Sequence, residues 1–289
     1  MRRPSDIARQ EALMGTLVEL TSAFEGIASM RIAQIKDQVE QSTKFFNELW
    51  NIYAQLRAGD VFSFGRAQNK PADFIDKELL IIITAEGGWS GDIDEKLVEL
   101  MLKTYEKDKN DIIVIGRHGA LQLAQRGISY KHYFKLPTQD RNINVAPLEH
   151  YVQQYRSTRM FYQQYVSLMV QDVRRIELSN AVEQRGGQAV TNPDEIIDTN
   201  TYIFEPSAYE VAAHLERSMM QIAISQLILE SKLAQYASRF RAMTASHERA
   251  DEDKTSLHVE YNRARRALKD ERLKEIINGV KKSHVGAGR

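Results

Sequence analysis

The sequence predicts an α/β fold in which long N-terminal and C-terminal helices form an antiparallel coiled coil around an inserted α/β domain. The first observation is a stretch from residue 207 to 278 that contains neither proline nor glycine. An ordinary globular helix is only about a dozen residues long. The second is a similar breaker-poor stretch at the start of the chain, and the third is a set of strand-like apolar runs between the two.

The C-terminal stretch carries apolar residues in alternating steps of four and three, the pattern of a coiled-coil seam. The seam positions are Leu215, Met219, Ile222, Gln226, Leu229, Leu233, Tyr236, Phe240, Met243, His247, Ala250, Lys254, Leu257, Tyr261, Ala264 and Leu268. The polar residues from His247 to Lys254 predict a locally loosened stretch. At ~1.5 Å per residue, this helix would be roughly 110 Å long and would project from a globular body.

The N-terminal helix is predicted from Ser5, a favoured N-cap type, to about Arg57. Two apolar seams follow its length. The first comprises Leu13, Leu17, Leu20, Phe24 and Ile27, and the second comprises Ile32, Ile35, Val39, Ser42, Phe46, Leu49, Tyr53 and Leu56. The two are out of phase, which predicts a stutter at residues 28–31. Long helices at both ends of an insert favour antiparallel pairing.

The insert alternates strand and helix patterns, which predicts a Rossmann-like domain with a parallel sheet. Predicted strands cover residues 78–84, 111–116 and 129–136, and predicted helices cover residues 92–107, 118–126 and 147–156. Residues 158–166 and 168–178 predict further strands at the edge of the sheet, and residues 180–199 predict a polar loop. The predicted boundaries are therefore residues 1–58 for the first helix, 59–205 for the α/β domain, 206–280 for the second helix and 281–289 for a polar tail.

Composition narrows the class of protein. The chain has 289 residues, 39 basic and 39 acidic side chains, 43% hydrophobic residues and no cysteine. The absence of cysteine excludes disulfides and thiol chemistry, and the zero net charge argues against a general nucleic-acid binder. The longest apolar run, residues 79–84, is strand-sized, so we expect no membrane span. The first residues show no hydrophobic core of a secretory signal.

Two places in the insert carry residues of the kinds found at ligand-binding or catalytic sites. The turn from Gly87 to Gly91 follows a strand and precedes a helix, but it lacks a phosphate-binding fingerprint, and Glu86 would repel an anion. His118 follows a strand end, where α/β ligands usually bind, yet no partner at a known spacing supports it. We therefore expect a structural turn, a histidine without catalytic role, and neither catalytic residues, cofactor nor metal site in this chain.

Several motifs, in their order along the chain, resemble the gamma subunit of rotary F-type ATP synthases. Residues 202–206 (Tyr-Ile-Phe-Glu-Pro) resemble the family's Y-x-Y-E-P, and residues 261–265 (Tyr-Asn-Arg-Ala-Arg) resemble Y-N-K/R-A-R. Residues 229–231 and 238–243 are similar to its L-E-S and A-A-R-M-x-A-M segments, and residues 275–279 to its E-I-V-x-G end. Residues 20–28 and 84–94 occupy the places of its I-T-K-A-M-x-M-V-A and T-S-D-R-G-L-C-G-G-L-N segments.

The resemblance implies a non-catalytic central rotor shaft of a proton- or sodium-coupled F-type ATP synthase. It implies partners in the alpha and beta subunits of the catalytic hexamer, the epsilon subunit and the membrane ring of c subunits, and a peripheral place on the cytoplasmic face of the cell membrane. Carried over residue by residue, it predicts hexamer contacts at Arg31 and Arg265, with outward guanidinium groups. It predicts contacts with the membrane ring at Tyr202 and Glu205.

The sequence departs from the family at several positions and leaves alternatives open. Ala33 and Gln34 replace part of the family's basic patch, Glu86-Gly87 replaces Asp-Arg, and Lys269 and Glu271 replace an apolar residue and a glutamine. One alternative is a gamma-like shaft of an F-type-like ATPase with a role other than synthesis. Others are a coiled-coil scaffold and a nucleotide-binding enzyme with helical arms. The sequence does not determine the coupling ion, or whether the complex makes or hydrolyses ATP.

Overall fold

The computed structural model describes residues 2–57, 74–140, 143–179, 205 and 207–286. The first helix, α1, covers Pro4–Arg57, and the last helix, α5, covers Ala208–Gly286. Helix α5 thus continues into the segment predicted as a polar tail. The predicted 180–199 loop and Tyr202 lie outside the described residues.

Five strands and three short helices separate α1 from α5. In chain order they are β1 (Ile75–Ile83), α2 (Ile93–Leu102), β2 (Asn110–Ile115), α3 (Arg117–Gln125), β3 (His132–Phe134), α4 (Ala146–Gln154), β4 (Tyr155–Tyr165) and β5 (Gln171–Glu177). Every element predicted for the insert is present, and the bounds differ from the predicted ones by a few residues.

The strands form one sheet in the order β3-β2-β1-β4-β5. Strand β1 pairs in parallel with β2 and with β4, and β3 extends the parallel part beyond β2. Strand β5 runs antiparallel to β4 and forms the far edge. The predicted alternation therefore gives a parallel sheet, and of the two added strands only β5 lies at an edge.

Alternate residues of β1 point to opposite faces of the sheet, as strand geometry requires. Leu79, Ile81 and Ile83 join a core with α4 and α5, which contributes Ile224, Leu227 and Ile228. Leu80 and Ile82 join a second core with α2 and α3. Because both faces are covered, the strand is a continuous apolar run rather than an alternating one.

The chain divides into two compact units. The body unit comprises residues 28–240 and holds the sheet together with the adjoining parts of α1 and α5. The terminal unit comprises residues 1–27 and 241–289.

Within the body unit, α1 and α5 pair in an antiparallel manner along the predicted seams. Ile35 packs against Leu229 and Leu233, whereas Phe46, further along α1, packs near Met219 and Ala223. The Tyr53 hydroxyl donates to Glu216 Oε1 at 2.9 Å. The second α1 seam as far as Tyr53 and the matching half of the α5 seam are therefore confirmed, whereas the side chain of Leu56 lies outside the described part.

Within the terminal unit, the same two helices are joined by polar contacts. Glu25 Oε1 accepts from the Thr244 hydroxyl at 2.8 Å, and Glu11 Oε1 lies 2.8 Å from His258 Nδ1. His247 Nδ1 lies 3.2 Å from the carbonyl oxygen of Val18. The stretch around His247 that was predicted to be loosened is thus held by hydrogen bonds to α1.

The first predicted α1 seam is wrong. Its five residues lie on the exposed side of the helix: Leu13 55%, Leu17 38%, Leu20 49%, Phe24 40% and Ile27 47% exposed. The positions one residue later are more buried, and they are Met14, Val18, Thr21, Glu25 and Ala28. The polar residues of α5 in this unit select these positions, because Thr21 and Glu25 offer hydrogen bonds that leucine cannot.

The predicted stutter is wrong for the same reason. From Ile7, the less exposed positions of α1 continue in steps of four and three through Ala28 and Ile35 to Tyr53 without a change of phase. The apparent phase shift arose because the five residues of the first predicted seam lie on another face of α1, about 100° around the helix from the face that pairs with α5. We call that face, Leu13, Leu17, Leu20, Phe24 and Ile27, the outer stripe.

One seam position of the body unit is polar and unsatisfied. Gln226 is 3% exposed, and neither of its amide atoms has a hydrogen-bond partner among the described residues. A buried polar seam residue can fix the register of a coiled coil while it lowers stability.

Candidate partner-contact sites

Arg31 lies on the exposed side of α1 in the body unit, with 44% of its side chain exposed. Its Nη1 donates to Gln34 Oε1 at 3.3 Å and forms an ion pair with Asp140 Oδ2 at 3.5 Å. The predicted outward position agrees with this exposure. The intramolecular pair with Asp140 could not be predicted from the sequence, because the two residues are far apart in the chain.

Asp140 joins Arg31 to a second cation, Lys232 of α5. The Lys232 ammonium group also donates to the carbonyl oxygens of Pro137 at 2.8 Å and Gln139 at 3.4 Å. Three donor contacts satisfy this almost fully buried ammonium group. The segment before α4 is thereby bound to both long helices, and we call Arg31, Asp140 and Lys232 the clamp.

The other predicted contact residues have simpler surroundings. Arg265 lies in the terminal unit and is exposed, which agrees with the predicted outward guanidinium group. Glu205 is exposed and precedes α5, whose first turn is capped by the Ser207 hydroxyl accepting from the Glu210 amide at 3.2 Å. Tyr202, the fourth predicted contact, lies outside the described residues.

The glycine turn after β1 is fixed on α5. The Ser238 hydroxyl donates to the carbonyl oxygen of Ser90 at 2.6 Å, and Arg239 Nη2 donates to that of Gly88 at 3.3 Å. Between them, Trp89 has a φ of 73° and is 71% exposed. A bulky residue in this left-handed region is strained, so the packing on α5 must hold the turn in place.

Glu86, at the start of this turn, uses its carboxylate to hold neighbouring segments. It accepts from the Arg117 amide, the Leu136 amide and the Tyr133 hydroxyl, each at 3.0 Å. These contacts agree with the predicted structural role of the turn.

His118 has a partner that sequence reasoning missed. Its Nδ1 lies 2.7 Å from Asp94 Oδ2, and Asp94 is fully buried. The hydrogen bond to Asp94 raises the pKa of His118 above its usual 6.5, and burial opposes the rise only in part. Both residues follow adjacent parallel strands, whose carboxyl ends meet at one edge of a sheet. That adjacency is the signal that could have identified the pair.

Gly116 allows this close approach. Its φ is 95°, and a Cβ atom there would lie 2.0 Å from the carbonyl oxygen of Thr84. The turn is closed by the His118 amide donating to Ala85 at 3.0 Å and by the Gly119 amide donating to the Thr84 hydroxyl at 2.9 Å. The start of α3 is therefore pinned against the end of β1.

Among the residues that the structure describes, no group of three or more His, Asp or Glu side chains could hold a metal ion. In the same part of the chain, no helix is both long and apolar enough to cross a membrane. The fold defines a class of protein in which an α/β domain is inserted between two long helices that pair in an antiparallel manner.

Comparisons with known proteins identify the family. The family model described as ATP synthase matches residues 5–281. The ATP synthase gamma chain of Cytophaga hutchinsonii is 22% identical over 95% of this chain and 97% of its own length. That of Alkaliphilus metalliredigens is 24% identical over 95% and 96%, respectively.

Solved structures show the same fold. A chain of the Euglena gracilis mitochondrial ATP synthase OSCP/F1/c-ring structure has a TM-score of 0.63 at 14% identity, covering 99% of this chain and 97% of that one. A chain of the rotor of the same enzyme has a TM-score of 0.61 at 14% identity, covering 91% and 99%. The chain belongs to the gamma-subunit family of ATP synthase. It is a non-catalytic central-stalk subunit, and as such a peripheral part of a membrane-bound complex.

Proposed function

We propose that this chain is the rotor shaft of a proton- or sodium-coupled F-type ATP synthase, on the cytoplasmic face of the cell membrane. Its helix pair turns inside the alpha–beta hexamer, and its α/β domain joins the epsilon subunit and the c-subunit ring. The observation that carries this proposal is the outer stripe of α1. Five large apolar side chains, each 38–55% exposed, follow one another along a helix whose seam side is already paired with α5.

A helix face of this kind favours a partner that covers it. Burying a leucine or phenylalanine side chain contributes about 1.5–3 kcal/mol. Large exposed apolar patches on soluble proteins usually mark interaction sites. In this proposal the interior of the alpha–beta hexamer covers this part of α1, which the membership of the ATP synthase gamma family supports.

Arg31 and Arg265 add polar contacts with the hexamer in this proposal. Each guanidinium group is exposed, and an arginine can bind a carboxylate through two parallel hydrogen bonds. An exposed ion pair contributes only about 0–1 kcal/mol, so each arginine biases the rotational position of the shaft rather than holding the complex together.

Glu205 and Tyr202 form the proposed foot on the ring. Glu205 is exposed directly before α5, where the chain leaves the α/β domain. A carboxylate at this point is available to polar or basic groups of the ring loops.

The proposal is tested by purifying the tagged full chain from native membranes and identifying what accompanies it. We expect alpha, beta, epsilon and c subunits in stoichiometric amounts, and ATP synthesis by the complex after reconstitution with an ion gradient. Reconstitution with a proton gradient and with a sodium gradient identifies the coupling ion. Recovery of the chain without a catalytic hexamer would contradict the proposal, and a complex that only hydrolyses ATP would favour a role other than synthesis.

A further inference from the structure

A chain of hydrogen bonds in the body unit connects a surface histidine to the buried side of α5. It begins at His118, whose side chain is 34% exposed, and passes to the fully buried carboxylate of Asp94. Asp94 Oδ1 accepts from Gln163 Nε2 at 2.7 Å, and both of its oxygens lie 3.3 Å from the amide nitrogen of Ala85. None of these side chains is among the proposed partner contacts.

Gln163 transmits the polarity of Asp94 to α5. A carboxylate only accepts hydrogen bonds, so the amide group of Gln163 must turn its Nε2 toward Asp94 and its Oε1 the other way. Oε1 then accepts from the Ser231 hydroxyl and from Gln235 Nε2, the latter at 3.2 Å. Gln163 is fully buried, and Ser231 and Gln235 are at most 4% exposed, so water does not replace these bonds readily.

Charged residues surround His118 and Asp94, and they come from several elements. Helix α2 contributes Asp94 and Glu95, and α3 itself contributes Arg117 beside His118. The turn after β1 contributes Glu86, whose carboxylate accepts from the Arg117 amide. Strand β4 contributes Gln163 to the network, and α5 contributes Ser231 and Gln235, all three uncharged. Arg239 of α5 donates to Gly88 in the turn after β1.

Other cations near this edge are engaged elsewhere. Lys232, next to Ser231 on α5, forms the clamp ion pair with Asp140, and Arg126 lies 3.9 Å from Glu95. Within the described part of the chain, His118 is the basic side chain that pairs with the Asp94 carboxylate. A buried carboxylate is costly unless it is paired and hydrogen-bonded.

We propose that the protonation state of His118 controls how tightly the α/β domain packs on residues 231–235 of α5. Protonated His118 tightens this packing, and loss of the proton loosens it. We call the network the seat of α5. The proton enters and leaves at the exposed imidazole, and its charge acts through Asp94 on the orientation and bond strength of the Gln163 amide. Protonation forms one N–H bond on the imidazole with a proton taken from solvent, and deprotonation returns that proton to solvent. All other changes in the network are changes in hydrogen bonds.

The direction of the pH dependence follows from the raised pKa of His118. A histidine whose folded pKa lies above its unfolded value contributes stability that is fully present below the unfolded pKa, about 6.5. That contribution is lost as the pH rises through the folded pKa. The seat is therefore tightest under mildly acidic conditions and looser under alkaline ones. Any effect of the seat on the rotation of a shaft rests on the proposed function, whereas the pH dependence of the packing does not.

The test uses the isolated full chain, labelled for NMR at its histidine rings and isoleucine methyl groups. Ile224 and Ile228 are the reporters, because they lie on α5 in the core shared with the sheet. We expect their methyl signals to shift with the same midpoint as the His118 ring, above pH 6.5. In His118→Gln this shift should disappear, whereas His258→Gln, which changes a histidine of the terminal unit, should retain it.

A second variant separates coupling from folding. In Gln235→Ala the His118 ring should still titrate, but the methyl shift should shrink by at least half, since one of the two donors to Gln163 is gone. The proposal is overturned if the α5 methyl signals do not shift as His118 titrates, or if they shift with pH by the same amount in His118→Gln. Because no other subunit takes part, this result is independent of whether the chain drives ATP synthesis.

Discussion

Lys232 of α5 and Asp140 of the segment before α4 form an ion pair in which both side chains are nearly buried, with exposures of 3% and 9%. The pair joins the α/β domain to the C-terminal helix, and Arg31 adds the N-terminal helix to the same carboxylate. A rotor subunit needs its globular part and its shaft to move together, and the clamp is one physical basis for this.

Removing the carboxylate of the clamp should destabilise the protein strongly. We expect Asp140→Ala to lower the free energy of unfolding by about 3–5 kcal/mol, because it leaves the ammonium group of Lys232 buried without a counter-ion. Asp172→Ala, which removes an exposed pair with Arg174, should cost less than about 1 kcal/mol. Urea unfolding of both variants checks this, and equal losses would show that the clamp behaves like a surface pair.

Filling the polar seam position should stabilise the protein. Gln226→Leu replaces a buried amide without partners by an apolar side chain, and we expect a gain of about 1–3 kcal/mol in the free energy of unfolding. The control is Gln41→Leu, at an exposed position of α1, which should change stability by less than about 0.5 kcal/mol. A loss of stability in Gln226→Leu would mean that the amide is satisfied in solution.

The outer stripe should matter for assembly and little for folding. We expect the double change Leu17→Gln and Leu20→Gln to alter the unfolding free energy of the isolated chain by less than about 1 kcal/mol, since both residues are already exposed. Binding to the alpha–beta hexamer should weaken at least about tenfold, which corresponds to 1.4 kcal/mol. Glu19→Gln, on an exposed position of the same turn, is the control. Unchanged binding in the double variant would remove the main support for the hexamer contact.

The two arginines should affect coupling more than assembly. In a reconstituted complex, Arg31→Ala with Arg265→Ala should leave assembly intact but reduce the rotation obtained per ATP hydrolysed. Arg263→Ala, at another exposed position of α5, should have no such effect. Coupling that survives the double change would refute the assignment of both residues.

Reversing the charge at the proposed foot should weaken the junction with the ring. We expect Glu205→Lys to lower the retention of the c-subunit ring during purification and to reduce ATP synthesis, because the ring loops would face a cation instead of a carboxylate. Glu210→Lys, one turn into α5, reports any effect of charge reversal on the helix start alone. If Glu205→Lys behaves like Glu210→Lys, the foot does not include Glu205.

The sheet and both long helices could be predicted because their signals are local. The run from Leu79 to Ile83 is apolar throughout since both faces of β1 are covered, and α5 is readable from its spacing and its lack of helix breakers. The side of α1 that is buried in the terminal unit could not be predicted in this way. Leucine and phenylalanine indicate which face is apolar, but the face that pairs is chosen by hydrogen bonds from Thr244 and His247.

The polar contacts between the α/β domain and the long helices could not be predicted from the sequence for another reason. The clamp and the network at Asp94 join residues that lie far apart in the chain, such as Asp140 and Lys232. No periodicity marks such pairs, and only the topology of the sheet could have placed His118 near Asp94. The contacts assigned to Arg31, Arg265, Tyr202 and Glu205 come from the family resemblance, and they stay predictions.

The unbroken phase of the α1 seam also limits how the protein can change in length. In each unit, a step forward along α1 is matched by an equal step back along α5, as in the pairs of Glu11 with His258 and Glu25 with Thr244. Deleting one residue from either helix would turn the positions on one side of the deletion by about 100° relative to those on the other, and the seam pairs on one side would no longer match. Deleting seven opposite residues from both helices at once would keep the facing positions together, because the seam repeats every seven residues. Evolution can therefore lengthen or shorten this pair of helices most easily by whole seven-residue repeats, added to or removed from both helices together.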